Sequence, residues 1–159
     1  METTRITLIL FMGLMALSCS QAIDFEEERH LLLASNELQR KAHFEGSPEI
    51  LVQEMADTVY TVQRGVIRSS TKPDMIKRWE AYFKRVKYSR WDDLQEPLIQ
   101  ISSDATLATV SVSKITISTL WDEPEAGIDT TYFAWTSEYK KLNGAWKIYK
   151  MTSTRIPKP

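Results

Sequence analysis

The sequence lacks most of what a chain uses to hold itself together without a hydrophobic core. One cysteine in 159 residues forbids an internal disulfide. Two histidines and that one cysteine are too few for a classical zinc cluster. Five glycines and six prolines exclude collagen-like and low-complexity sequence. Neither charge sign dominates: the formal net charge is -1, which leaves no basic field for nucleic acid. What is present is ordinary for a single globular domain, with 43% hydrophobic and 26% charged residues. A domain of this size buries roughly two thirds of its unfolded surface, enough to fold without a metal or cross-link.

The first segment reads as an address. Ile6 to Ser18 is an uncharged apolar run, preceded by Arg5. It is shorter than the about 20 residues of a membrane-spanning helix and fits the apolar region of a secretory signal. Two cleavage sites compete. Ala16-Leu17-Ser18-Cys19 is similar to a bacterial lipoprotein signal, with Ala16 where leucine is usual, and lipidation would fall on Cys19. Ser20-Gln21-Ala22 offers a small-x-small site, with cleavage after Ala22. The first reading is preferred, because the sole cysteine sits at that boundary. It divides the chain into a signal at 1–18, a short tether at 19–24 and a domain at 25–156. A lipid on Cys19 would hold the domain, periplasm-facing or at the cell surface, without spanning the membrane. Cleavage after Ala22 would instead release a secreted soluble protein.

The rest divides by periodicity. Asp24-Phe25-Glu26-Glu27 has capping-box spacing, and Leu31, Ala34, Leu38 and Ala42 recur at helical intervals, so a helix is expected over 25–44 with Gly46 as its stop. Ser47-Pro48 opens a second helix. Thr58 to Val62 reads as a strand, Gly65 as a turn, and Val66-Ile67 as a further short strand. Thr71-Lys72-Pro73-Asp74 starts a third helix, whose Ile76, Trp79, Phe83 and Val86 form a wide stripe for packing on a sheet. From Tyr88 the period becomes two. Ala108, Val110 and Val112 alternate with polar residues, and the apolar phase then moves to Ile115 and Ile117, which predicts a bulge. Asn143-Gly144 is a hairpin turn between the last two strands. The expected class is α+β: a cone-shaped, strongly bent antiparallel sheet wrapped around N-terminal helices.

Five stretches carry a family resemblance: Met55-Ala56-Asp57, Trp91-Asp92-Asp93 with Pro97 through Ser102, Ala108-Thr109-Val110, Phe133-Ala134-Trp135-Thr136, and Asn143-Gly144 followed by Trp146-Lys147-Ile148. With the order of elements, they resemble the nuclear-transport-factor-2-like superfamily, and within it the SnoaL-like branch of unknown function. The resemblance covers nearly all of 25–156. It implies a pocket between the concave sheet and the helices, and a homodimer formed through the sheet. It implies no single activity, because the superfamily hosts isomerases, cyclases, dehydratases, epoxide hydrolases and binding modules.

The residues decide little more. Ketosteroid isomerisation needs a carboxylate base, with a tyrosine and a protonated acid as oxyanion donors. The resemblance places the base near Val62-Gln63-Arg64 and the acid near Ser137, and neither position carries a carboxylate. His30 and His43 both fall on the first helix, off a common face, and read as solvated or helix-end residues. Asp92 and Asp93 are adjacent and must face opposite sides of a strand. Asp92 is the candidate base, with Tyr60 or Tyr139 as acid. Strand parity groups Phe133, Trp135, Ser137 and Tyr139 on one face. With Tyr60, Trp91 and Arg64 they make the candidate ligand pocket, an aromatic wall suited to an apolar or ring-bearing molecule. No cofactor or metal is expected.

Three readings follow. The first is an exported, lipid-anchored domain that binds a small ligand or a partner protein. The second is a lyase, isomerase or hydrolase of the same fold. The third is a structural dimerisation domain without a cavity.

Overall fold

The computed structural model describes residues 22–121 and 127–156. The signal segment, Cys19, most of the loop after Trp121 and the last three residues lie outside that range.

Helix α1, Phe25–Glu45, begins where the capping box placed it. Asp24 Oδ1 accepts from the backbone N–H groups of Glu26 and Glu27, both at 3.1 Å. It ends on Gly46, whose φ of 62° is the left-handed conformation that stops a helix. Ser47 caps α2, Pro48–Gln53, through Ile50 N–H at 3.3 Å. Strands β1, Met55–Gln63, and β2, Val66–Thr71, pair across a tight Arg64-Gly65 turn in which both residues have positive φ. Helix α3, Lys72–Phe83, carries Thr71 as N-cap. It stops before Val86, which starts β3, Val86–Asp93, rather than extending the helical stripe. Then come β4, Leu98–Ile101, β5, Leu107–Leu120, β6, Ile128–Leu142, and β7, Ala145–Arg155.

All strands join one sheet in the order β2-β1-β7-β6-β5-β3, with β4 also on β5. The sheet is mixed: β1 runs parallel to β7, and every other pairing is antiparallel. The expectation of a wholly antiparallel sheet is corrected at that one contact. It arises because the two N-terminal strands return to the sheet beside the C-terminal one.

The expected bulge in β5 is absent. Its pairing with β6 runs without a shift from Leu107 to Thr119. The irregularity against β3 instead falls between Tyr88 and Arg90. Position 114 therefore keeps the parity of Val110 and Val112, and its lysine points to the same side as they do.

The core lies between the inner face of the sheet and the helices. It is built from Leu32, Leu51, Val59, Met75, Val110, Val112, Tyr139 and Ile148 with their neighbours. Polar contacts fix α1 across it. Glu28 Oε2 accepts from Trp146 Nε1 at 2.7 Å, and its Oε1 pairs with Lys141. Arg40 Nε donates to the carbonyl of Trp91 at 3.0 Å. One end of the helix is thus tied to the β6–β7 hairpin and the other to β3.

Candidate functional site

Three neighbouring rows of the sheet project residues toward the helices. The β3–β5–β6 register aligns Trp91, Thr116 and Thr131 in one row, and Asp93, Lys114 and Phe133 in the next. Val112 and Trp135 follow. Lys114 stands in the middle, and its side chain is 1% exposed. Its Nζ forms a buried ion pair with Asp93 Oδ1 at 2.5 Å. Lys114 Nζ lies 5.9 Å from the centre of the Trp135 ring. Trp91 is also centred 5.9 Å from Trp135, and its buried Nε1 has no hydrogen-bond partner among the described residues.

α1 adds His43, which is buried and caged by rings. It stacks on Trp91 with centroids 3.7 Å apart and meets Trp79, Phe83 and Tyr88 edge-on. Its Nδ1 is 2.7 Å from the carbonyl of Gln39, which can only accept, so Nδ1 carries the proton. Burial lowers its pKa from 6.5 to about 4; the Gln39 hydrogen bond acts the other way, and the charge of Lys114 lowers it further. His43 is therefore neutral at pH 7. Beyond it, the hydroxyls of Tyr82 and Tyr88 share a short hydrogen bond. Burial raises both phenols, which stay protonated.

Deeper along β6, Tyr139 is almost fully buried. Its hydroxyl lies 3.3 Å from Ser35 Oγ and accepts from Gln39 Nε2 at 3.4 Å. Burial pushes it up to about 12. It is a satisfied strut between sheet and helix, and so poorly placed to release a proton.

The structure distributes the expected site residues unevenly. Phe133, Trp135, Ser137 and Tyr139 share the inner face, as parity placed them; Ser137 and Tyr139 are buried, and Phe133 and Trp135 half-buried. Trp91 joins them from β3. Tyr60 does not: it is 48% exposed, because Val59 takes the inward position on β1. Arg64 sits in the exposed turn after β1. Asp92 faces outward with a side chain 43% exposed, held by Arg90 at 2.8 Å and Arg40 at 3.6 Å. The hydrogen bond from Arg90 leads the interactions that lower its pKa, so it stays ionised and has no access to the interior. The inward carboxylate of the adjacent pair is Asp93. His43 lies in the last turn of its helix, as a helix-end residue should, but it is buried rather than solvated. His30 is exposed.

Lys114 was not singled out by the sequence reading, and His43 was read only as a solvated or helix-end residue. Lys114 had a signal: it continues the Ala108-Val110-Val112 alternation at the same parity. His43 had none, because its cage comes from α3 and β3.

Two open depressions lie on the opposite, outer face of the sheet. One, of about 340 Å³, is lined by residues including Ser111, Ser113, Ala134, Thr136, Thr152 and Thr154, and Val112 and Trp135 also border it. The other, of about 270 Å³, includes Thr109, Glu138 and Tyr149. Among the described residues there is no group of three or more His, Cys, Asp or Glu side chains that could hold a metal, and no helix is long and apolar enough to cross a membrane.

No protein-family model and no curated protein matches the chain. Solved structures do. A nuclear transport factor 2 (NTF2-like) superfamily protein from Salmonella enterica serovar Typhimurium superposes with a TM-score of 0.70 at 9% identity, over 85% of this chain and 95% of that one. The fold is NTF2-like. A ketosteroid isomerase-like protein from Erwinia carotovora matches with a TM-score of 0.66 at 13% identity, over 83% of this chain and 98% of that one. An NTF2-like protein of unknown function in nutrient uptake from Rhodospirillum rubrum matches with a TM-score of 0.62 at 19% identity, over 79% and 98%. At such identities the NTF2-like likeness concerns the path of the backbone, and the chemistry must be read from this chain's own side chains.

Proposed function

We propose that this protein is an exported, SnoaL-like domain, lipid-anchored through Cys19, that binds a small ring-bearing ligand on the inner face of its sheet and forms a homodimer through the outer one. The observation that carries the binding reading is one buried donor beside an aromatic ring: Trp91 Nε1, which has no hydrogen-bond partner among the described residues, near Trp135 and the Lys114–Asp93 ion pair. A buried donor without an acceptor costs about 1–3 kcal/mol. That cost opposes the stability of the fold. Trp135 and Phe133 are half-buried, and the open part of a ring gives another ring something to stack on.

Native mass spectrometry of the gently purified protein tests this reading. A reproducible small-molecule adduct, lost in Trp135→Ala, supports it. The substitution should then cost less than the about 3–5 kcal/mol of a fully buried tryptophan. A clean apo mass, with unchanged tryptophan fluorescence across a panel of aromatic compounds, refutes it. The same spectrum reports the dimer. The mass of the N-terminal peptide after membrane extraction tests the anchor, because a diacylglyceryl group on Cys19 adds a defined increment.

One observation favours the structural alternative. The rings of His43, Trp79, Phe83, Tyr88 and Trp91 fill the space under the helices by direct contact. In that reading Trp135→Ala behaves as a simple core deletion and no adduct appears.

A further inference from the structure

A lipid on Cys19 would leave the domain little freedom of orientation. We propose that the end of the domain formed by the start of α1 and the β6–β7 hairpin is a bilayer-docking surface, which seats Ile23, Phe25, Leu107 and Leu142 in the membrane interface. The proposal rests on the lipid-anchor reading above and adds which end of the domain meets the lipid.

Reach comes first. Ile23 follows Cys19 by four residues. A fully extended chain spans at most about 3.6 Å per residue, so a lipidated Cys19 would keep Ile23 within about 14 Å of the headgroups. α1 begins two residues later, at Phe25. The start of this helix is therefore the part of the domain that the tether holds against the bilayer.

The fold gathers apolar side chains at that same end. Phe25 lies three residues before Glu28, on the same face of α1. Glu28 holds the Trp146 indole and Lys141, so Phe25 projects past that contact toward the Asn143-Gly144 turn. Leu142 flanks the turn. Leu107 pairs with Lys140, and the Lys141 N–H donates to the carbonyl of Thr106 at 2.9 Å, which brings the start of β5 to this end. Ile23, Phe25, Leu107 and Leu142 are all exposed to water. They gain by leaving it for an interface, and the Glu28 contacts present them on a rigid end.

The charges beside them select no headgroup. Asp24, Glu26 and Glu27 at the start of α1 oppose Lys140 and Lys141 on the hairpin. With both signs present, burial of apolar surface carries the docking, and a zwitterionic bilayer suffices. The other end of β5 also exposes large apolar residues, Trp121 and Ile128. It lies about 40 Å away along the strand, out of reach of so short a tether.

The lipidated protein in vesicles of phosphatidylcholine and phosphatidylethanolamine, with nitroxides on the acyl chains, tests the orientation. Cys19 is the only cysteine, so once lipid occupies it an introduced cysteine alone takes a fluorescent label. Ala145→Cys labels the docking end and Thr119→Cys the far end, both at exposed positions. The label at 145 should lose most of its emission to the nitroxides, and the label at 119 should keep it. Phe25→Ser with Leu142→Ser, both on exposed side chains, should restore the emission at 145. Added phosphatidylglycerol should change neither signal. Equal quenching at both positions, or quenching at 145 that survives the double substitution, overturns the docking. Quenching that appears only with phosphatidylglycerol overturns the apolar assignment. A shifted emission at 145 without nitroxide quenching assigns the surface to a second copy of the chain and also overturns it. Each of these leaves the anchor standing while the N-terminal peptide carries the diacylglyceryl mass. If that mass is absent, the anchor reading fails and the proposal falls with it.

Discussion

His43 makes stability depend on pH in a window where few other groups contribute. Its folded pKa is about 4, against 6.5 for the ordinary side chain. A histidine held neutral by burial stabilises the fold fully above its unfolded pKa, and the contribution is lost as pH falls from there toward the folded value. The gap is worth about 3 kcal/mol in full and about 2 kcal/mol by pH 5. The charged and titratable groups around it do not reverse the sign. The Lys114 charge opposes protonation, and the Tyr88 phenol stays protonated throughout. The lowered carboxylates of Asp92, Asp104 and Glu138 contribute losses only below the unfolded carboxylate range, under about pH 4.5. Urea unfolding at about pH 7.5, 6.5, 5.5 and 5 should therefore show a midpoint falling steadily at constant slope. His43→Gln should be less stable at neutral pH, because it loses the ring contacts, and much flatter over the same interval. A wild-type curve flat to pH 5 refutes the burial of a neutral imidazole. The same slope in His43→Gln refutes its assignment to this residue.

The other perturbations are local. Asp93→Asn leaves the Lys114 ammonium buried without a counter-ion and should cost about 3–5 kcal/mol, whereas Lys114→Met combined with Asp93→Leu should recover most of that loss, as a denaturant double-mutant cycle would read. Tyr139→Phe removes the hydroxyl between Ser35 and Gln39 and should lower stability by about 1–2 kcal/mol with no change in far-ultraviolet dichroism. Gly46→Ala forces a side chain into a φ of 62° and should cost about 1 kcal/mol, although its Cβ would meet Phe83 only at an ordinary 3.6 Å.

The helices and hairpins were legible because their signals are local. Asp24, Gly46, Ser47 and Asn143-Gly144 act on backbone groups within a few residues, so composition and spacing identify them. Parity alone also placed Phe133, Trp135, Ser137 and Tyr139 on one inner face. The reading went wrong where polarity was taken as a sign of exposure. Lys114 broke an apolar alternation and was read as the site of a bulge; the continuous β5–β6 register shows a lysine facing inward instead. Asp92 was preferred to Asp93, and no local feature of two adjacent aspartates says which one faces in. That is set by the β3–β5 register and its shift beyond Tyr88. The parallel β1–β7 contact was equally out of reach, since it joins residues nearly a hundred positions apart.

The interior treats its polar groups in two ways. Tyr139, Ser35 and Gln39 satisfy one another, as do Glu28, Lys141 and Trp146. These groups tie the helix to the sheet, and their hydrogen bonds are closed. At Lys114 the logic is reversed. Another valine or isoleucine there would extend the row of Val110 and Val112, and an apolar replacement of a buried ion pair is often neutral or stabilising. The chain instead carries a lysine ion-paired with a carboxylate and, nearby, an indole N–H with no hydrogen-bond partner among the described residues, beside the half-buried Trp135. Under the binding reading proposed above, a ligand with an acceptor would meet the Trp91 indole N–H and leave the rest of the core unchanged.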